Sequence, residues 1–174
     1  IFDYDKIKGH QVIVKTANKG TKFKFLDGVE RELSNEDLMI CNAEEPMCMA
    51  GIMGGIDSGV SDSTKTIFIE SAFFNPSYIR RSARRHNLHT EAAYRFERGA
   101  DYSILNFALL RATKLILDVS GGEIYSDIIE SIGKVINPEI ISFNIDKTNK
   151  FLGTKLHKDN VKKILLDLNF DLLD

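Results

Sequence analysis

The chain changes its hydrophobic period at Asn75-Pro76, and this switch constrains its fold more than any other feature. Before it, apolar residues alternate in short runs suited to strands; after it, they recur at three- and four-residue spacing suited to helices. Strands followed by helices, rather than strands and helices in alternation, specify an α+β fold of mixed β-sheets with helices packed against them.

Within the first part, His10 to Lys15 alternates. Lys22 to Leu26 and Val29 to Leu33 flank Asp27-Gly28, a pair that predicts a two-residue type I′ hairpin turn. Leu38 to Cys41 and Met47 to Ile52 read as short buried strands around Pro46. A loop carrying Gly51, Gly54, Gly55 and Gly59 follows, and Thr66 to Glu70 reads as a strand that delivers Glu70 at its end.

Asn75 followed by proline marks a helix start, predicting a helix from Pro76 to about Arg85 that Asn87-Leu88-His89 breaks. Thr90 caps a second helix, Glu91 to Arg98, ended by Gly99. Asp101 caps a third, reaching about Val119, with Ile104, Ala108, Leu109, Ala112, Leu115, Ile116 and Val119 expected on its core face. Glu123 to Ile132 and Ile140 to Ile145 read as strands, with Pro138 as a boundary between them. Asp146 to Leu152 and Lys158 to Leu168 read as helices, the latter with Val161, Ile164, Leu165 and Leu168 on one face. Two domains are expected, 1–136 and a small partial one at 137–174. Both ends read as cut, so the chain is expected to be a piece of a longer protein.

With 174 residues, 43% apolar and 28% charged, the chain has the make-up of a soluble globular protein. A net charge of −2 excludes a surface that binds polyanions as a whole, while leaving room for a local basic patch. Cys41 and Cys48 lie in apolar runs, which fits a reducing compartment rather than a disulfide framework. No apolar run is long enough to span a bilayer.

Chemistry concentrates between Glu70 and Asp101. Glu70 ends an apolar strand, where a carboxylate must be hydrogen-bonded or exposed. It either caps or pairs with a neighbour, or accepts a hydrogen bond from a ligand. Arg80, Arg81, Arg84 and Arg85 form a helical stripe, read either as a solvated face or as a phosphate contact. Glu91 and Arg95, four apart, are expected to pair. Adjacent Gly54 and Gly55 either close a tight connection or admit a ligand to bare backbone N–H groups, making both candidate oxyanion donors. His89-Thr90-Glu91 has the H-x-E spacing of zinc deaminases, but P-C-x-x-C is absent and no metal site is expected.

The runs FDYDKI (Phe2–Ile7), LDG (Leu26–Gly28), AGIMGG (Ala50–Gly55), SGVSDST (Ser58–Thr64), ESAFF (Glu70–Phe74) and RRHNLHTEAAYRFERGAD (Arg84–Asp101) closely resemble the central editing region of bacterial phenylalanyl-tRNA synthetase β subunits. The resemblance covers about residues 1–130. From about 139, ISFNIDKTNKFLGTKL resembles the start of the small helical domain that follows. The family usually has serine at the position of Ala93 and glycine at that of Asn87.

The resemblance implies an editing site that hydrolyses tyrosine wrongly attached to the phenylalanine tRNA, a second sieve behind the charging site. It places Glu70 on the tyrosine hydroxyl and Thr90, Ala92 and Gly54 on the pocket wall, Ala92 staying small to leave room. A positioned water would attack, without covalent intermediate or metal. The family carries a histidine just before FDYDKI, a position with no counterpart here; His10, His86 and His89 do not replace it. The implied partners are the 3′ end of the phenylalanine tRNA carrying tyrosine and the α subunit of a cytoplasmic heterotetramer, with no membrane. No cofactor is expected in this piece, ATP and magnesium serving the parent enzyme elsewhere. The alternative is a non-catalytic RNA-binding or scaffolding module using the arginine stripe.

Overall fold

The computed structural model describes residues 1–133 and 139–173. In chain order its elements are strands β1 (Phe2–Asp3), β2 (Ile13–Thr16), β3 (Lys22–Lys24), β4 (Glu30–Glu32), β5 (Leu38–Cys41), β6 (Pro46–Met49), β7 (Met53–Gly54) and β8 (Ile67–Phe68), then helices α1 (Pro76–His86), α2 (Glu91–Phe96), α3 (Leu105–Ser120), α4 (Ile145–Leu152) and α5 (Lys158–Asp167). The expected α+β order holds. The chain divides into two compact units, Ile1–Tyr125 and Ser126–Asp174. The expected boundary at 136/137 and Pro138 lie outside the described residues.

The first unit is built on an antiparallel sheet in the order β2-β5-β6-β7. Its centre is β5, the most apolar of these strands, which pairs Ile13↔Cys41 through Thr16↔Leu38 on one side and Met39↔Met49 on the other. The β3–β4 hairpin joins it through a bridge between Phe25 and Gly55. Phe25, Leu33, Met39, Ile40, Met49 and Ile79 are the most deeply buried large apolar side chains, so sheet, hairpin and α1 share one core. Gly55 is where the hairpin and sheet touch: a Cβ there would lie 2.5 Å from the Phe23 ring and 2.8 Å from the Met47 carbonyl oxygen.

Strands β1 and β8 pair Phe2↔Phe68 and Asp3↔Ile67, which brings the two ends of the β part together. Asp3 is buried; its carboxylate accepts from Thr64 Oγ1 (2.7 Å) and the Asp5 amide (3.1 Å). Lys6 Nζ donates to the Gly59 carbonyl (2.8 Å) and Ser58 Oγ to that of Met47 (2.7 Å). The runs FDYDKI and SGVSDST therefore hold each other.

Several local expectations change. The hairpin loop has three residues, not two: Phe25 N–H donates to the Val29 carbonyl (3.1 Å) and Gly28 N–H to that of Phe25 (2.9 Å). Gly28 alone in this loop takes positive φ, +78°, so the turn is not type I′. Asp27 is drawn instead to the Val29 amide and the Arg31 guanidinium (2.9 and 2.7 Å). The alternation from His10 becomes a strand only at Ile13, because Gly9 and His10 both take positive φ. The expected strand up to Glu70 pairs only over β8. Helix α2 stops at Phe96, where Glu97 and Gly99 turn the chain away. Asp101 caps a short 3-10 turn before α3 rather than α3 itself.

No residue of α3 is buried, and Ile104, Leu115 and Val119 of its expected core face are exposed. Helical spacing establishes a face, not the presence of a neighbour to cover it. The same reason undoes the strands expected at Glu123 to Ile132 and Ile140 to Ile145: neither forms, since a strand's backbone groups need a paired edge.

In the second unit, the Asn144 side chain caps α4 through the Lys147 amide (2.8 Å), and Gly153 ends it at φ +67°. Asn149 pins the connection to α5 by accepting from the Leu156 amide and donating to its carbonyl, both 2.9 Å. Val161 is the buried residue of α5; Ile164 and Leu168 of its expected apolar face are exposed.

Asp37 ties α1 to the sheet. Fully buried, it accepts from Ser82 Oγ (2.7 Å), Arg85 (2.5 Å), the Ser34 amide (2.8 Å) and a ring nitrogen of His86 (2.6 Å). Burial alone would push this carboxyl up, but the Ser34 amide, His86 and Ser82 outweigh it and hold it below its ordinary range. Its stabilisation is therefore present above the unfolded-state value near pH ~4 and is lost as pH falls through the lower folded-state value. Asp37→Ala should cost about 3 kcal/mol, leaving His86 and Arg85 beside a vacated acceptor. Urea unfolding at neutral pH measures that loss, and the acid dependence of stability should flatten in the variant.

Candidate functional site

A cavity of about 450 Å³ opens in the first unit where three stretches of chain meet. The sheet end and glycine loop supply Cys48 and Gly51 to Gly54; the segment after β8 supplies Glu70, Ser71, Ala72 and Phe74. The third wall comes from Ala92 and Phe96 of α2, Ala100 and Asp101, and the start of α3 at Ile104 and Leu105. Gly51 sits at φ +64°, and a Cβ there would stand 3.1–3.2 Å from Phe74, Ile79 and Phe96. The Phe74 and Phe96 rings pack tilted at 51° with centroids 5.4 Å apart, and Ser71 Oγ donates to the Leu105 carbonyl (3.0 Å), which fixes the second and third walls to each other.

Glu70 is half-buried in this wall, and no hydrogen bond or ion pair reaches its carboxyl group from any described residue. Burial pushes its carboxyl above the ordinary glutamate range. Ala92 and Gly54 share the cavity with it, so three of the expected pocket residues are brought together. Gly54 contributes backbone; its carbonyl accepts from the Leu26 amide (3.0 Å), and a Cβ would meet Leu26 Cδ1 at 3.0 Å.

Thr90 stands just behind the wall. Its hydroxyl donates to the Ile52 carbonyl (2.8 Å) and accepts from the Ala93 amide (3.0 Å), so one side chain caps α2 and fastens it to the glycine loop. Gly55 is not part of the lining, and its N–H already donates to the Met47 carbonyl (2.9 Å).

Cys48, which sequence reasoning passed over as a site residue, lines the cavity. Burial, reinforced by the negative charge of Glu70, pushes its thiol up to about 12. Such a thiol stays protonated and is not a nucleophile at neutral pH. Among the described residues, no three His, Cys, Asp or Glu side chains gather as a metal site; His89 bonds Asn87 (3.2 Å) instead.

The arginine stripe is partly spent inside the fold. Arg85 pairs with Asp37 and Glu36, and Arg80 donates to the Glu97 carbonyl (3.0 Å), joining α1 to the end of α2. Arg81 lies over the Tyr78 ring at 5.0 Å. Arg84 is exposed, with no partner among the described residues. The expected Glu91–Arg95 pair forms at 3.0 Å.

In the first unit, then, a largely apolar cavity carries in its wall a half-buried carboxylate that no described residue hydrogen-bonds, the mix of apolar lining and few polar groups usual in small-ligand pockets. The chain belongs to the B3/4 domain family, which matches residues 1–121. Over 173 residues it is 42% identical to the phenylalanine–tRNA ligase beta subunit of Bacteroides fragilis (strain YCH46), covering 99% of this chain and 21% of that protein. The beta subunit of Porphyromonas gingivalis (strain ATCC BAA-308 / W83) is 45% identical over 168 residues, 96% of this chain and 20% of that protein. That of Carboxydothermus hydrogenoformans is 41% identical over 169 residues, 97% and 21% respectively. The similarity read from the motifs thus extends along nearly the whole chain, which spans about a fifth of the length of these curated relatives.

Thr90→Val keeps the shape of the side chain and removes both hydrogen bonds. It should cost about 1–2 kcal/mol in urea unfolding, the range of a lost helix cap. Ala92→Ser should leave stability nearly unchanged by the same measurement.

Proposed function

We propose that this chain is the editing part of a phenylalanine–tRNA ligase β subunit and hydrolyses tyrosine mistakenly esterified to the phenylalanine tRNA. The observation that carries the reading is Glu70: a carboxyl group to which no described residue hydrogen-bonds, half-buried in a cavity otherwise walled largely by apolar groups. An apolar pocket rejects an added hydroxyl poorly, but a site with a waiting acceptor selects for it strongly. The tyrosine hydroxyl would donate to Glu70, its ring would lie between Ala92 and Phe74, and a phenylalanine ring would leave the carboxylate unpaired.

In this reading a water attacks the ester carbonyl, the tetrahedral oxyanion is received by backbone N–H groups near Gly54 or the start of α2, and the 3′ ribose oxygen of the tRNA leaves. The step draws on no cofactor held by this domain; ATP and magnesium belong to the charging reaction elsewhere in the parent enzyme. Thr90 acts by holding α2 against Ile52. Exposed Arg84, with Arg81 and Arg80 near it on α1, would contact tRNA phosphates in this reading, whereas Arg85 is committed to Asp37. The partners are accordingly the tyrosine-bearing tRNA 3′ end and the α subunit in a cytoplasmic heterotetramer.

In a complete synthetase carrying this domain, Glu70→Ala should let tyrosyl-tRNA accumulate, deacylation falling by about 10²-fold or more, while charging with phenylalanine is unchanged. Ala92→Trp should do the same by filling the cavity. Deacylation that survives both changes would sink the assignment. If the domain were merely an RNA-binding module, substitution of Arg81 and Arg84 would weaken tRNA binding and neither cavity variant would affect editing.

The raised carboxyl of Glu70 also sets a pH dependence. It must be ionised to accept the phenol hydrogen bond most strongly, so binding of tyrosine-like phenols should weaken as pH falls through a value above the ordinary glutamate range, near pH ~4.3. Titration calorimetry across the acid range checks this, and Glu70→Ala should abolish the transition.

A further inference from the structure

The cavity wall holds two carboxylates, Glu70 and Asp101, and no lysine, arginine or histidine among its described residues. The two differ in setting. Glu70 is half-buried, whereas Asp101 is exposed, at the chain's turn from Gly99 (φ +91°) into the 3-10 segment before α3. Asp101 Oδ1 accepts from both the amide and the hydroxyl of Ser103, at 2.9 and 2.7 Å, which fixes the carboxylate's position. Its other oxygen, Oδ2, receives no hydrogen bond from a described residue. The Ser103 hydroxyl and amide hold this carboxyl below its ordinary range, so it is anionic throughout the neutral region.

We propose that Asp101 receives the α-ammonium group of the ligand, so that the cavity of this chain takes the cationic, esterified form of a tyrosine-like amino acid in preference to the free acid. This rests on the reading of Glu70 given above and adds a second point of recognition to it. An aminoacyl ester brings one positive charge and no negative one; it meets Asp101 with its ammonium and Glu70 with its hydroxyl. Hydrolysis adds water across the ester, releasing the ribose hydroxyl, a proton and a free amino acid with a new carboxylate. That carboxylate meets no lysine, arginine or histidine in the described lining and is repelled by both acidic groups. The same charge pattern that draws in the ester therefore expels the product.

Three probes separate the contributions in binding titrations on this chain. 4-Ethylphenol carries only the phenol, tyramine adds the ammonium, and tyrosine adds the carboxylate. Tyramine should bind about five- to tenfold more tightly than 4-ethylphenol or tyrosine, the gain of one partly solvated ion pair. Asp101→Asn keeps a side-chain oxygen for Ser103 and so preserves the cap; it should erase the tyramine preference while leaving 4-ethylphenol unchanged. Glu70→Ala should weaken all three probes and leave the preference in place. If tyrosine binds as well as tyramine, or if the preference survives Asp101→Asn, the assignment of Asp101 falls while Glu70-dependent binding still supports the pocket. If no phenol binds, both readings fall. If Asp101→Asn weakens 4-ethylphenol as much as tyramine, Asp101 shapes the wall rather than reading the ammonium, and the proposal fails.

Discussion

The buried carboxylate of Asp37 is the interaction on which the arrangement of the first unit depends. The sheet and α1 meet across a core of Met39, Met49 and Ile79, but apolar contacts do not by themselves fix how a helix is rotated on a sheet. Four directional donors do. Ser82, Arg85 and His86 lie within five residues of one another on α1, so they can all reach one acceptor in a single rotation of the helix. With α1 held, Arg80 carries the constraint on to Glu97, and Thr90 ties α2 to Ile52. The cavity lies at the end of that series of bonds. Its geometry rests on those bonds as well as on the Ser71–Leu105 and Phe74–Phe96 contacts within its own lining.

The motifs of the chain divide by what they do in the fold. FDYDKI and SGVSDST hold each other through Asp3–Thr64 and Lys6–Gly59. LDG spends Asp27 on Arg31 and a turn. Glu70 is the exception, since burial works against its charge, opposed only in part by the positive chain terminus, and no described residue hydrogen-bonds its carboxyl. Its oxygens stay accessible from the cavity, where a ligand donor can reach them.

Local chemistry made much of this legible in advance. Asn75-Pro76 and Thr90 cap helices because their side chains bond amides two or three residues away, and sequence contains that information directly. Glu70, Ala92 and Gly54 came from motif resemblance, and the cavity brings them together. Asp37 could not be found this way. It sits in a polar run, Ser34 to Asp37, and its partners on α1 are 45 or more residues distant. The role of Arg85 changed for the same reason, because a helical stripe records spacing but not what approaches it. The apolar runs after Gly122 read as strands from composition, yet pairing needs a second edge that no local pattern supplies.

The setting of Cys48 has a consequence for the chemical durability of the cavity. A thiol held near 12 is present as thiolate only in trace amounts at neutral pH, so peroxides and alkylating electrophiles find little to attack. Both burial and the neighbouring glutamate contribute to that inertness. A cysteine can therefore stand in a ligand cavity without becoming a point of oxidative damage. The protection weakens if the glutamate is exchanged for a neutral residue, making the rate of alkylation at Cys48 a chemical gauge of the charge beside it.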